Sequence, residues 1–80
     1  MTRPISTHQI DLAASFMTVT GRLPPVYLQP GDILATFDLP DDDVTRRILS
    51  DYAAGTLMLN VKRFATCRAF LFKQIKAVRQ

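Results

Sequence analysis

Pro24 and Pro25, followed by Pro30-Gly31, forbid a helix through the middle of this chain, so any fold must divide there. Each proline lacks a donor N–H and holds φ at about −65°. Val26-Tyr27-Leu28, just beyond the first pair, therefore reads as a short strand. Gln29-Pro30-Gly31-Asp32 sets proline before glycine in the order a type II turn uses, because glycine accepts the positive φ of the third position. The turn predicts a hairpin. In its second strand Ile33, Ala35, Phe37 and Leu39 alternate with Leu34, Thr36 and Asp38, giving one wholly apolar face and one mixed face.

The segments on either side carry helical spacing. Ile10, Ala13, Ala14 and Met17 recur at the interval that makes one apolar stripe, with Ser6 or Thr7 as N-cap and Gly21 as the stop. Residues 1–6 contain Pro4 and no period, and read as a loose end or an edge strand. A second helix is expected after Leu39-Pro40-Asp41-Asp42-Asp43, where carboxylates meet the positive end of the helix dipole. Val44, Ile48, Leu49 and Tyr52 form its expected buried face, Arg46 and Arg47 point away, and Gly55 closes it. Thr56-Leu57-Met58-Leu59 leaves room for one short strand, and Asn60 is placed to cap a last helix from Val61 to about Val78.

At about 100° per residue, Phe64, Cys67, Leu71, Ile75 and Val78 share one arc of that last helix, and Lys62, Ala69, Lys73 and Lys76 share the opposite one. Phe70 and Phe72 fall on its two flanks. The order helix-strand-strand-helix-strand-helix predicts a single α+β domain over residues 1–80, with a small antiparallel or mixed three-stranded sheet packed by helices.

Composition narrows the function classes. Eighty residues bury only roughly 60% of the surface of the unfolded chain, so stability is expected to be modest, and a partner or a second copy of the chain is within expectation. With 48% hydrophobic and 21% charged residues, the chain has the apolar surface that disordered chains lack. No apolar run approaches the roughly 18 residues of a membrane span, and no leader pattern opens the chain, so a cytoplasmic protein is expected. Cys67, the single cysteine, cannot form an internal disulfide and suits a reducing compartment.

Charge is strongly asymmetric. Residues 61–80 hold six cations and no acid, whereas the first sixty residues hold four cations and seven carboxylates, which together make the net charge of +3. The cationic face of the last helix, with Lys62, Arg63, Lys73, Lys76 and Arg79 and the neighbouring Phe70, is one candidate partner-binding surface. Such a face can neutralise phosphates, and an adjacent aromatic ring can stack on a base. The plainer reading is a solvated helix face whose late cations suit the dipole. Asp38, Asp41, Asp42 and Asp43 form a second candidate surface, suited to a basic protein groove that otherwise holds nucleic acid. Its plainer reading is capping of the second helix.

Nothing in the chain resembles a catalytic constellation. His8 has no second histidine or cysteine at ligand spacing, so neither a metal nor a cofactor is expected. Cys67 falls on the apolar arc, far along the chain from the only histidine that could activate it. Gly21, Gly31 and Gly55 are isolated and form no phosphate-binding loop. Phe16, Met17, Phe64 and Leu71 read as core residues.

Over about nine tenths of its length the chain resembles the DUF5659 family, small domains of unknown function found in bacterial, phage and mobile-element proteins. The resemblance is carried by Thr7 with Leu12-Ala13-Ala14, by Gly21, by Ala35-Thr36-Phe37-Asp38, by Tyr52-Ala53-Ala54-Gly55 and by Leu59-Asn60-Val61-Lys62-Arg63-Phe64. The family pattern departs here in the proline-rich link after Gly21 and in Asn60-Val61, where an Asp-Val pair is usual. Such an origin implies a small non-enzymatic protein-binding module. Its most concrete form is an inhibitor of host defence of the anti-CRISPR type, docking on a CRISPR surveillance complex. Nucleic acid is the alternative partner, bound by the basic last helix.

Overall fold

The computed structural model describes residues 3–79. Strand β1 (Ile5–Thr7) leads into helix α1 (Ile10–Thr20), then strands β2 (Val26–Tyr27) and β3 (Thr36–Leu39), and helices α2 (Asp43–Ala54) and α3 (Val61–Arg79). The α+β class with three helices and a three-stranded antiparallel sheet agrees with the sequence reading. So does the succession of α1, the β2–β3 hairpin, α2 and α3.

The third strand is drawn from the N-terminal edge. β3 lies at the centre of the sheet, in the order β1-β3-β2. Ile5 pairs with Leu39 and Thr7 with Phe37 on one side, and Val26 pairs with Phe37 on the other. The segment 56–59, expected as a strand, adopts none, and Leu57 packs against the core without pairing to the sheet. The hairpin turn is as expected. Gly31 has φ 91°, and the Asp32 N–H closes the turn on the Gln29 carbonyl at 2.9 Å. The strand after it is shorter than the alternation suggests: β3 begins only at Thr36, and Ile33, expected on the apolar face, is 84% exposed.

Helix α1 is the centre of the molecule and is buried more widely than a single stripe. Leu12 and Phe16 join Leu39 and Ile48 in one core cluster, against which Ile5, Leu49, Tyr52 and Leu57 pack. Ala13 and Ala14 join Phe37 and Leu71 in a second, flanked by Met17, Phe64, Cys67 and Ile75. Two different faces of α1 thus meet α2 and α3. The hydroxyls of Ser15 and Thr18, enclosed between the clusters, donate to the carbonyls of Asp11 and Ala14 one turn back, so neither is left unpaired.

Terminal punctuation follows the residues that signalled it. Gly21 at φ 71° and Gly55 at φ 75° end α1 and α2 in the left-handed conformation that glycine adopts without strain. Asp42 accepts the Thr45 N–H at 2.8 Å and Asn60 accepts the Arg63 N–H at 2.9 Å, so both later helices are side-chain capped. At α1 the N-cap is Gln9, which makes no side-chain cap. Ser6 and Thr7, expected there, belong to β1, and Thr7 Oγ1 accepts only the Gln9 N–H.

Helix α2 turns its expected face inward, with Ile48 in the core and Leu49 and Tyr52 packed against it, and Val44 is the exception. Thr45 and Ile48 are buried while Val44 is 55% exposed. The Asp42 cap fixes the phase of the first turn and directs Thr45 inward, which puts Val44 outside.

Candidate functional site

The outer face of α3 is the most exposed regular surface of the described chain. Leu71 is fully buried, and Phe64, Cys67, Ile75 and Val78 are half-buried around it, as the spacing requires. Lys62, Lys73 and Lys76 are exposed on the opposite side, and Arg63 is exposed on a flank. None of these four forms an ion pair among the described residues, where the carboxylate partners found are Asp41 for Arg46 and Asp11 for Arg68.

The two flanks of α3 differ. Phe70, 38% exposed, shares one flank with Arg63. Phe72, 42% exposed, shares the other with Arg68 and Arg79. The Arg68 guanidinium lies over the Phe72 ring, 4.8 Å from its centroid, and its Nε–H donates to Asp11 at 2.6 Å. Arg79 donates from Nη2 to the Ile33 carbonyl at 3.1 Å, tying the end of α3 to the loop before β3. Of the cations read from the sequence as one surface, Lys62, Lys73 and Lys76 lie together, while Arg63 and Arg79 stand on opposite flanks.

The four aspartates do not form one free acidic surface. Asp38 projects from the face of β3 away from the core, where Oδ1 accepts the Ser6 hydroxyl at 2.7 Å and the Tyr27 hydroxyl at 3.3 Å. It therefore clamps both edge strands to the central one. Asp41 binds Arg46 through Nε at 2.7 Å and Nη2 at 3.2 Å, and these hydrogen bonds hold its carboxyl below the usual carboxylate range. The same bonds raise Arg46. Asp42 is lowered first by the Thr45 backbone N–H that it caps. Asp43 is exposed in the first turn of α2.

His8 and Cys67 meet different parts of the fold. The His8 ring meets the Ala35 carbonyl through Nδ1 at 3.1 Å; a carbonyl only accepts, so this bond puts the proton on Nδ1. Cys67 is half-buried against the second core cluster. Among the described residues no three His, Cys, Asp or Glu side chains gather in a way that could hold a metal, and no helix is long and apolar enough to cross a membrane.

Sequence reasoning missed the Asp11–Arg68–Phe72 chain. Its members are 57 positions apart at the ion pair, and only the packing of α3 on α1 brings them together. It also missed the exposure of Ile33, which alternation assigned to the apolar face, and did not single out Leu34 and Met58, exposed as well. No family model matches the chain, and neither the curated proteins nor the solved structures contain a match to it.

Proposed function

We propose that the protein is a non-enzymatic binding module that docks on a protein partner through the outer face of α3. The observation that carries this reading is the coincidence, on one helix, of unpaired exposed cations with half-exposed aromatic rings on both flanks. Aromatic side chains are enriched where proteins meet, and complementary charge steers the encounter and selects the partner. Ile33 and Leu34 extend the apolar area beyond the Phe72 flank, beside Arg79. The partner surface that fits is acidic.

In its most concrete form the module is of phage or mobile-element type and inhibits a host defence assembly in the bacterial cytoplasm, as an anti-CRISPR-like protein docking on a CRISPR surveillance complex. That form rests on the family resemblance carried by Leu12-Ala13-Ala14, Tyr52-Ala53-Ala54-Gly55 and the opening of α3. Affinity purification from host lysate at low salt tests it. Recovery of one discrete complex by the unaltered chain and its loss with Lys62→Glu/Lys73→Glu supports docking through α3. Recovery of no stable partner counts against it.

A second reading has an observation of its own. Asp41, Asp42 and Asp43 lie at the start of α2 and Asp38 on β3, and three of the four carboxylates are hydrogen-bonded within the fold. Phosphate approaching α3 would meet no carboxylate on that helix. Nucleic-acid binding by Lys62, Arg63, Lys73, Lys76 and Arg79 predicts an affinity that falls steeply with salt. A gel shift without retardation at low ionic strength removes it.

A further inference from the structure

On the Phe72 flank of α3 a cavity of about 310 Å³ opens between the helix and the start of β3. Its apolar walls include Ile10, Leu34, Phe72 and Ile75, and Lys76 and Arg79 stand among its lining residues; no carboxylate lines it. The volume lies at the small end of the roughly 300–1,000 Å³ typical of small-molecule sites, a size suited to one large side chain.

Two cross-links hold the walls. Arg68, anchored on Asp11, covers the Phe72 ring and restrains it. Arg79, bonded to the Ile33 carbonyl, restrains the loop that carries Leu34. A pocket fixed before its ligand arrives loses less ordering entropy on binding.

The geometry points to this cavity as the seat for one bulky apolar side chain of an acidic peptide segment, whose neighbouring carboxylates meet Lys76 and Arg79. The inference rests on the reading of α3 as a protein-docking element and specifies the chemistry of the partner. Charge complementarity selects a segment with carboxylates close to its anchor. An apolar side chain fills the walls formed by Ile10, Leu34, Phe72 and Ile75 without bringing polar edges that need partners, which favours it over a nucleobase. His8 also lines the cavity, but its Nδ1 proton is already engaged by the Ala35 carbonyl.

The test uses the full chain and two glutamate-rich peptides, one with a single central phenylalanine and one with alanine in its place. Amide correlation spectra are expected to show the phenylalanine peptide shifting Leu34, Ala35, Ile75 and Lys76, with an affinity at least about tenfold above that of the alanine peptide, the scale set by burying a phenyl group. Leu34→Asp, at an exposed position, is expected to keep the fold and lose that preference, whereas Arg47→Ala, exposed on α2 and away from the cavity, is expected to keep it. Equal affinities for the two peptides, no binding of either, or shifts confined to the outer face of α3 would overturn the proposal. So would an oligothymidylate that displaces the phenylalanine peptide and shifts the same cavity amides. The wider docking reading fails separately, if Lys62→Glu/Lys73→Glu retains the protein partner in full.

Discussion

Arg68 places its guanidinium 4.8 Å from the ring centroid of Phe72 while its Nε–H holds the Asp11 carboxylate at 2.6 Å, so one side chain joins the first turn of α1 to the exposed flank of α3. Neither group is deeply buried; the Arg68 and Asp11 side chains are 43% and 50% exposed. Solvent screening keeps the ion pair small, and an exposed cation–π contact contributes on the same modest scale. Arg68→Ala is therefore expected to cost no more than about 1 kcal/mol in urea denaturation, and to broaden the Phe72 ring resonances. A loss several times larger would mean that Arg68 carries more of the α1–α3 junction than this geometry implies.

Leu71 is the fully buried contact that α3 makes with Ala13, Ala14 and Phe37. The alanines opposite offer no side chain that could move into a void. Leu71→Ala is expected to destabilise by about 2–5 kcal/mol, measured by the urea midpoint. In so small a domain that loss is expected to leave much of the protein unfolded at physiological temperature.

The Asp42 cap gives a prediction with a defined direction in pH. Its carboxyl lies below the ordinary value because the ionised form accepts the Thr45 N–H. A group lowered on folding contributes stability that is present above its unfolded value of about 3.9 and is lost as pH falls through the lower folded value. Asp41, lowered by Arg46, acts in the same direction. The wild-type melting temperature should therefore fall below about pH 4 more than that of Asp42→Asn, whose amide still caps but does not titrate. At neutral pH Asp42→Ala should melt below both.

Thr45 Oγ1 is buried and has no hydrogen-bond partner among the described residues. An unpaired buried hydroxyl costs desolvation without return, so Thr45→Val, of nearly the same shape, is expected to be neutral or stabilising by about 1 kcal/mol. A clear loss on thermal melting would show that the hydroxyl is satisfied after all.

Legibility in the sequence followed the range of the interactions involved. Gly21, Gly55, Asp42, Asn60 and Pro30-Gly31 act on residues within one turn of themselves, and each marks the boundary or turn expected of it. The α3 core arc was also readable, because a helix imposes its period over five turns. The β1 pairing was not, since three residues show no period and their partners lie thirty or more positions away. The exchange of Val44 for Thr45 in the first turn of α2 was hidden for another reason: Thr45 carries no apolar signal, and its burial goes with the cap at Asp42. At the candidate site the cations were legible as a stripe, but the roles of Arg68 and Arg79 were not. Each acts on a group from another element, the first on Asp11 and the second on the Ile33 carbonyl.

The central claim is that the outer face of α3 meets a protein. It is tested most directly by a salt-dependent binding titration against short single- and double-stranded DNA and RNA, run beside a pull-down from host lysate with the unaltered chain and Lys62→Glu/Lys73→Glu. Docking on a protein predicts no nucleic-acid binding at micromolar concentration and one protein complex that the double substitution abolishes. Micromolar or tighter nucleic-acid binding with a steep salt slope, and no retained protein, would contradict it.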